Sequence, residues 1–170
     1  MFTPLIRLLL LLALAGIAVL FAYAGKLMPL FFATFLSGFL LWDYLKRGTV
    51  PLALRKLRKN DYAGAEKILN FTKNPDGLLE KQKIYFNFIK GFLEREKDNF
   101  SDAENYLDIV RDAKLANEND RAMALLALAD IQMIRGNKQK AKALMMEMKG
   151  LKVQPSLMEP IRQMQNLLHI

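Results

Sequence analysis

One period governs this sequence. Three segments align at a constant offset of 38 residues: NDYAGAEKIL from Asn60, DNFSDAENYL from Asp98 and GNKQKAKALM from Gly136. Ala65, Ala103 and Ala141 superpose, as do Leu69, Leu107 and Met145, and Ile68, Tyr106 and Leu144. A fixed period of this size marks a chain built from one supersecondary unit used several times, because a unit too small to bury its own apolar face must stack on its neighbours. Each copy opens on polar turn residues and continues into an apolar-periodic run with an early alanine. Copies two and three are preceded by a further helical run, LEKQKIYFNFIKGFLEREK and NDRAMALLALADIQMIR, so the unit reads as helix, short turn, helix. Gly91 and Ala129 stand 12 residues before Ala103 and Ala141, the small-residue spacing needed where two antiparallel helices cross closely.

With these residues the chain resembles the tetratricopeptide-repeat (TPR) family over about residues 50–153. Leu125, Leu128, Ala129, Gly136 and Ala141 match in the third copy, with Pro155 two places late. Gly91, Phe100 and Ala103 match in the second, and Leu52, Ala53, Tyr62 and Ala65 in the first. Lys90 and Glu94 depart from the family, which prefers large apolar residues there. Pro51 shortens the first helix of the first copy, and the excess over the usual repeat length enlarges loops such as 73–77 (KNPDG) and 117–120. The resemblance implies an all-α solenoid of about three helix-turn-helix repeats over residues 50–155. It also implies a concave surface whose partner-facing positions are Tyr85, Phe88, Phe92 and Arg95 in the second copy and Met123, Leu126, Asp130 and Met133 in the third. Such a groove is mostly apolar and lacks the Lys and Asn pattern that clamps a C-terminal carboxylate, which favours an apolar helix or hydrophobic segment of a protein partner. The competing reading makes some of these side chains core, or covers them with the C-terminal helix.

A repeat stack needs a cap on its last apolar face. Residues 156–170 offer one: Ser156 with Glu159 reads as a capping box, and Leu157, Ile161, Met164 and Leu168 fall on one helical face. The functional rival is a detachable amphipathic segment for a partner or the membrane, with Arg162 its lone cation.

The first 45 residues are a different polymer, with Arg7, Lys26 and Asp43 their only charges. Apolar runs at 8–24 and 27–42, separated by Gly25 and Lys26, each lie near the lower limit for a spanning helix, about 17 residues. Residues 1–45 therefore read as a transmembrane hairpin, its helices at about 5–24 and 27–45. Pro4 and Pro29 fall in first turns, and Trp42 and Tyr44 reach headgroup level. Ala15, Ala18, Ala22 and Gly25 on one helix, and Thr34 and Gly38 beside Ala33 and Ser37 on the other, suit close packing. A signal peptide ending at Ala22-Tyr23-Ala24 is the rival, with the second run as a stop-transfer helix.

Six of the eight excess positive charges sit just after this head. Residues 46–60, a juxtamembrane segment merging into the first repeat helix, carry Lys46, Arg47, Arg55, Lys56, Arg58 and Lys59 with no acid, whereas residues 61–170 hold 17 basic and 16 acidic residues. Lys and Arg so placed gain about 1 kcal/mol each beside an anionic leaflet and hold the end of the second helix on the cytoplasmic side. They point to membrane lipids and to topology, not to nucleic acid. The expected location is a bacterial cytoplasmic membrane, with the C-terminal body in the cytoplasm.

With no cysteine, one histidine at His169, and serine only at Ser37, Ser101 and Ser156, the usual nucleophiles, triads and zinc sites have no residues to use. Asp98, Asp102, Glu104, Asp108 and Asp112 surround a helix N-terminus and read as a solvated face, not a metal site. No catalytic residue, metal, cofactor or small-molecule substrate is expected. The expectation is a membrane-anchored scaffold that binds proteins. The alternative is an accessory factor for an envelope or cofactor biosynthetic enzyme, contacting it through the hairpin. The order of hairpin and then repeats is similar, in architecture alone, to bacterial inner-membrane repeat proteins associated with heme biosynthesis.

Overall fold

The computed structural model describes residues 4–23, 28, 31, 32, 34–39, 42, 48–113, 115 and 117–170, and every regular element among them is helical. The chain divides into two compact units, residues 1–83 and 84–170.

In the first unit, α1 spans Pro4–Tyr23, and the described residues from 28 to 42 are also helical. The side chains of residues 4–8, 10, 11 and 18 lie outside the description. Among the described residues, no helix is long and apolar enough to cross a membrane. The expected hairpin contact involves Gly25 and Ala33, which lie outside the described residues. Thr34 Oγ1 turns back to the Phe31 carbonyl at 2.9 Å.

The repeat body begins at a buried polar anchor. Thr49, 1% exposed, precedes α2 (Val50–Leu57) and donates from Oγ1 to the Ile68 carbonyl at 2.6 Å, while its amide donates to Thr72 Oγ1 at 3.1 Å. Gly48 has φ +57°, and a Cβ there would stand 2.8 Å from Thr72 Oγ1, so both backbone and space require glycine. Pro51 sits in the first turn of α2, which has 8 residues where the corresponding later helices have 17, the shortening expected from sequence. Asp61 caps α3 (Tyr62–Leu69) by accepting from the Gly64 amide at 2.9 Å. α2 packs on α3 around Ala53 and Ala65, both fully buried and 12 residues apart. A 3₁₀ turn at Pro75–Gly77, capped by Asn74, occupies the expected loop.

The second unit holds α4 (Glu80–Glu96, entering from residue 84), α5 (Phe100–Asp112), α6 (Glu118–Ile134), α7 (Lys138–Glu147) and α8 (Pro155–Leu168). α5 packs on α6, α6 on α7, and α8 lies against α6 and α7. The core is made of Phe88, Ile89, Leu107, Leu125, Leu128 and Ile131, with Ala103, Ala129 and Ala141 at the crossings.

The 38-residue period is a period of backbone geometry. Asn60, Asp98 and Gly136 all take left-handed φ, at 58°, 58° and 77°. The next amides, of Asp61, Asn99 and Asn137, bond back to Lys56, Glu94 and Gln132 carbonyls at 3.0, 2.9 and 2.8 Å. This is the Schellman closure of a helix C-terminus, repeated three times, and it turns the chain directly into the next helix.

The C-terminal helix starts one residue before the expected capping box. Pro155 occupies its first turn and Gln154 is the N-cap, with no side-chain cap bond, while Glu159 accepts from Gln163 at 3.3 Å. Ser156 and Glu159 therefore do not form a capping box. Proline, with φ already fixed and no amide to satisfy, sets the first helical residue instead. Met164 and Leu168 of the expected apolar face are buried, whereas Leu157 and Ile161 are half-exposed.

Candidate partner-binding site

Eight residues were expected to face a partner, and the second unit separates them into three groups. Tyr85, Phe88 and Phe92 recur at i, i+3 and i+7 on α4 and stack in series, with ring centroids 6.2 Å apart for the first pair and 4.8 Å for the second. Phe88 is completely buried, and Tyr85 and Phe92 are 9% and 8% exposed, so the structure places this ladder in the core. Tyr85 Oη donates to Asp120 Oδ2 at 3.0 Å in a buried link, and Asp120 is itself 1% exposed.

Arg95 and Asp130 are already paired with each other. Arg95 Nε donates to Asp130 Oδ2 at 3.2 Å and its Nη2 approaches the same oxygen. Both links span 35 residues, so each joins a position on α4 to the position three earlier in the equivalent helix of the next repeat. Of the eight, Met123, Leu126 and Met133 of α6 remain as half-exposed apolar surface.

Of the basic residues that follow the head, Lys46 and Arg47 lie outside the described residues. Arg55, Arg58 and Lys59 are exposed. Lys56 is engaged by Asp61 at 2.7 Å; this bond, and then the Gly64 amide, hold the Asp61 carboxyl below the usual aspartate value.

The acidic residues around α5 are partly committed. Glu104 accepts from Gln132 Nε2 at 2.7 Å, pairs with Arg135 and lies 3.6 Å from Lys140. Burial, and next the nearby Glu104, push Asp108 above the usual aspartate value against the pull of Arg111. Arg111 is drawn instead to Glu147 at 2.6 Å, which raises the guanidinium further. Among the described residues no group of three or more His, Asp or Glu is placed to hold a metal ion.

A second apolar surface was not anticipated. Met145, Met146, Met148, Leu151, Val153 and Ile161 wall a cleft of about 400 Å³ between α7 and α8. The loop that frames it is fastened to the start of α6: the Lys152 amide donates to Glu118 Oε2 at 2.7 Å and the Gln154 amide to Asn119 Oδ1 at 3.0 Å. Met164 and Leu168 of α8 are buried, while Ile161 and Gln165 of the same helix and Ile170 beyond it line the cleft. Its one signal in the sequence is the MMEM run at 145–148, which reads equally as repeat core. Unbranched methionines beside a single lysine, Lys149, suit adaptable binding.

Comparison with protein-family models, with curated proteins and with solved structures finds no match to this chain.

Proposed function

We propose that this chain is a membrane-anchored TPR scaffold that recruits partner proteins beside the cytoplasmic face of a membrane, without chemistry of its own. The observation that carries the reading is the threefold recurrence of one helix-turn-helix device. Small buried residues 12 apart (Ala53 and Ala65, Gly91 and Ala103, Ala129 and Ala141) and a left-handed residue at each turn repeat in register every 38 residues. Repeats of this kind leave a face of each first helix available to a partner, and here Met123, Leu126 and Met133 supply it.

The anchor is supported by exposure. Leu9, Leu12, Leu20, Phe31, Phe32 and Phe35 are 62–70% exposed, a patch that an aqueous surface does not tolerate uncovered. A bilayer covers it, with Lys46, Arg47, Arg55, Arg58 and Lys59 at the headgroups. A cysteine placed at the exposed Ser101 should resist a membrane-impermeant reagent in intact cells, and intact mass should retain residues 1–24. Labelling from outside, or a chain starting at Gly25, would overturn the placement or the hairpin respectively.

A second reading has its own observation. The Cβ positions of Gly16 and Gly38 have no described atom within 4 Å, and small residues of this kind let a foreign helix approach closely. That arrangement fits an accessory factor that holds a membrane enzyme through its hairpin. Photo-crosslinkers at Leu126 and at Phe35, used in native membranes, separate the two. A dominant adduct from Leu126 to a soluble or peripheral protein supports the scaffold, and adducts from Phe35 alone support the accessory reading.

A further inference from the structure

We infer that the cleft between α7 and α8 receives an acidic amphipathic helix from a partner protein. This surface is separate from the α6 face of the scaffold reading and does not rest on it. The cleft is apolar and open at its rim: Met146 is 63% exposed and Ile170 48%. Concave apolar space of this kind, bounded by two helices and with no strand edge to extend, accepts a helix by its apolar stripe.

Charge identifies which helix. Residues 138–170 carry six basic residues, Lys138, Lys140, Lys142, Lys149, Lys152 and Arg162, against two acids, whereas residues 61–137 carry 11 basic and 14 acidic. The cationic excess of the repeat body is thus confined to the end that holds the cleft. One of its two acids, Glu147, is neutralised by Arg111 at 2.6 Å, and the other, Glu159, accepts from Gln163. Lys142 and Met146 stand at i and i+4 on α7, Lys149 follows in the turn just past its end, and Met146 and Lys149 line the cleft. Among the described residues Lys142, Lys149 and Lys152 carry no ion pair, so no carboxylate there neutralises their charge. Of these lysines Lys149 lines the cleft itself, so a ligand that fills the apolar space must lay a flank against it. Carboxylates on either side of a leucine or phenylalanine stripe meet that demand, and lysines there are repelled.

The test uses the full chain in zwitterionic lipid nanodiscs and a fluorescein-labelled helical peptide of about 18 residues, with leucines at i, i+3, i+4 and i+7 and glutamates elsewhere. Two controls share its length: a scramble of the same composition without the stripe, and a version with lysine in place of glutamate. The striped acidic peptide should bind at least about tenfold more tightly than either control and should weaken as salt is raised. Met146→Glu and Lys149→Glu should each weaken it about tenfold, while Lys149→Arg retains binding. Because both positions are exposed, unchanged helical circular dichroism and melting establish that each variant is folded. Equal binding of the scramble or of the lysine peptide overturns the inference, as does indifference to Met146→Glu. It is also overturned if the peptide fails to bind while anionic vesicles, or a second copy of the chain, associate in a Met146-dependent way. None of these failures bears on crosslinking from Leu126, so the scaffold reading stands or falls separately.

Discussion

Gly91 faces Leu107 so closely that a Cβ on it would stand 2.6 Å from Leu107 Cγ and 3.4 Å from the Ala103 carbonyl oxygen. Mid-helix glycine costs up to about 1 kcal/mol relative to alanine, so on propensity alone Gly91→Ala would stabilise α4. Leu107 is fully buried and cannot swing aside, and overpacking of this kind costs about 1–3 kcal/mol. The steric term wins, and Gly91→Ala should lower the thermal midpoint. An equal or higher midpoint would mean that α4 and α5 separate at no cost.

Gly136 offers a cleaner backbone test, because no described atom beyond its chain neighbours lies within 4 Å of its Cβ position and its φ of +77° resists a side chain. The equivalent residues Asn60 and Asp98 hold the same left-handed turn without glycine. Gly136→Ala should cost about 1–2 kcal/mol in urea denaturation. Gly136→Asn should cost clearly less, since asparagine enters this region more readily. Equal losses for the two variants would show that the turn is held by something other than local conformation.

The buried Tyr85–Asp120 bond ties consecutive repeats together. Tyr85→Phe keeps the ring in the aromatic ladder and removes one donor from a carboxylate that is 1% exposed. The expected loss is about 1–3 kcal/mol by chemical denaturation, with the fold unchanged. A neutral result would show that the remaining partners of Asp120 satisfy it without the hydroxyl.

Much of this was legible before any coordinates, and the exceptions have physical reasons. The repeat was readable because Ala65, Ala103 and Ala141 answer to a helix crossing, and such a crossing tolerates few side chains. The left-handed turns were readable in part, since Asn, Asp and Gly are the residues that enter this region. Phe88 was placed in a groove because the family resemblance assigns its position to the inner face of the helix and says nothing about what covers that face in this chain. The capping box failed because Pro155 competed with Ser156 for the helix start, and a fixed φ prevails over a side-chain cap. The cleft escaped notice because Met145, Met146 and Met148 suit a packed interior and an open wall equally well. Which of the two they form depends on how far α8 closes.

Asp61 makes the Lys56–Asp61 turn acid-sensitive. Its carboxyl is held below 3.8 by the Lys56 ammonium and then by the Gly64 amide. A depressed folded-state pKa contributes stability that is present above the unfolded value and is lost as pH falls through the folded one. Asp61→Ala should therefore lower the melting temperature at pH 7. The gap from the unaltered protein should narrow once pH drops below 3.8. A gap independent of pH would assign the loss to helix capping by an uncharged acceptor.

Asp108 carries the opposite sign. Its carboxyl is raised above 3.8 by burial and by Glu104, and Arg111, at 3.8 Å, is turned toward Glu147. A raised folded-state pKa contributes stability that is complete below the unfolded value and is lost as pH climbs through the folded one, so at neutral pH the charge works against the fold. Asp108→Asn keeps the shape and removes the charge. It should raise the melting temperature at pH 7 by on the order of 1 °C, a small gain because the side chain is 46% exposed and solvent screens the repulsion. Below pH 3.8, where both states of Asp108 are protonated, the advantage should disappear. A melting temperature that falls at pH 7 would show that the contact with Arg111, three residues along the same helix, outweighs both burial and Glu104, and would reverse the assigned direction.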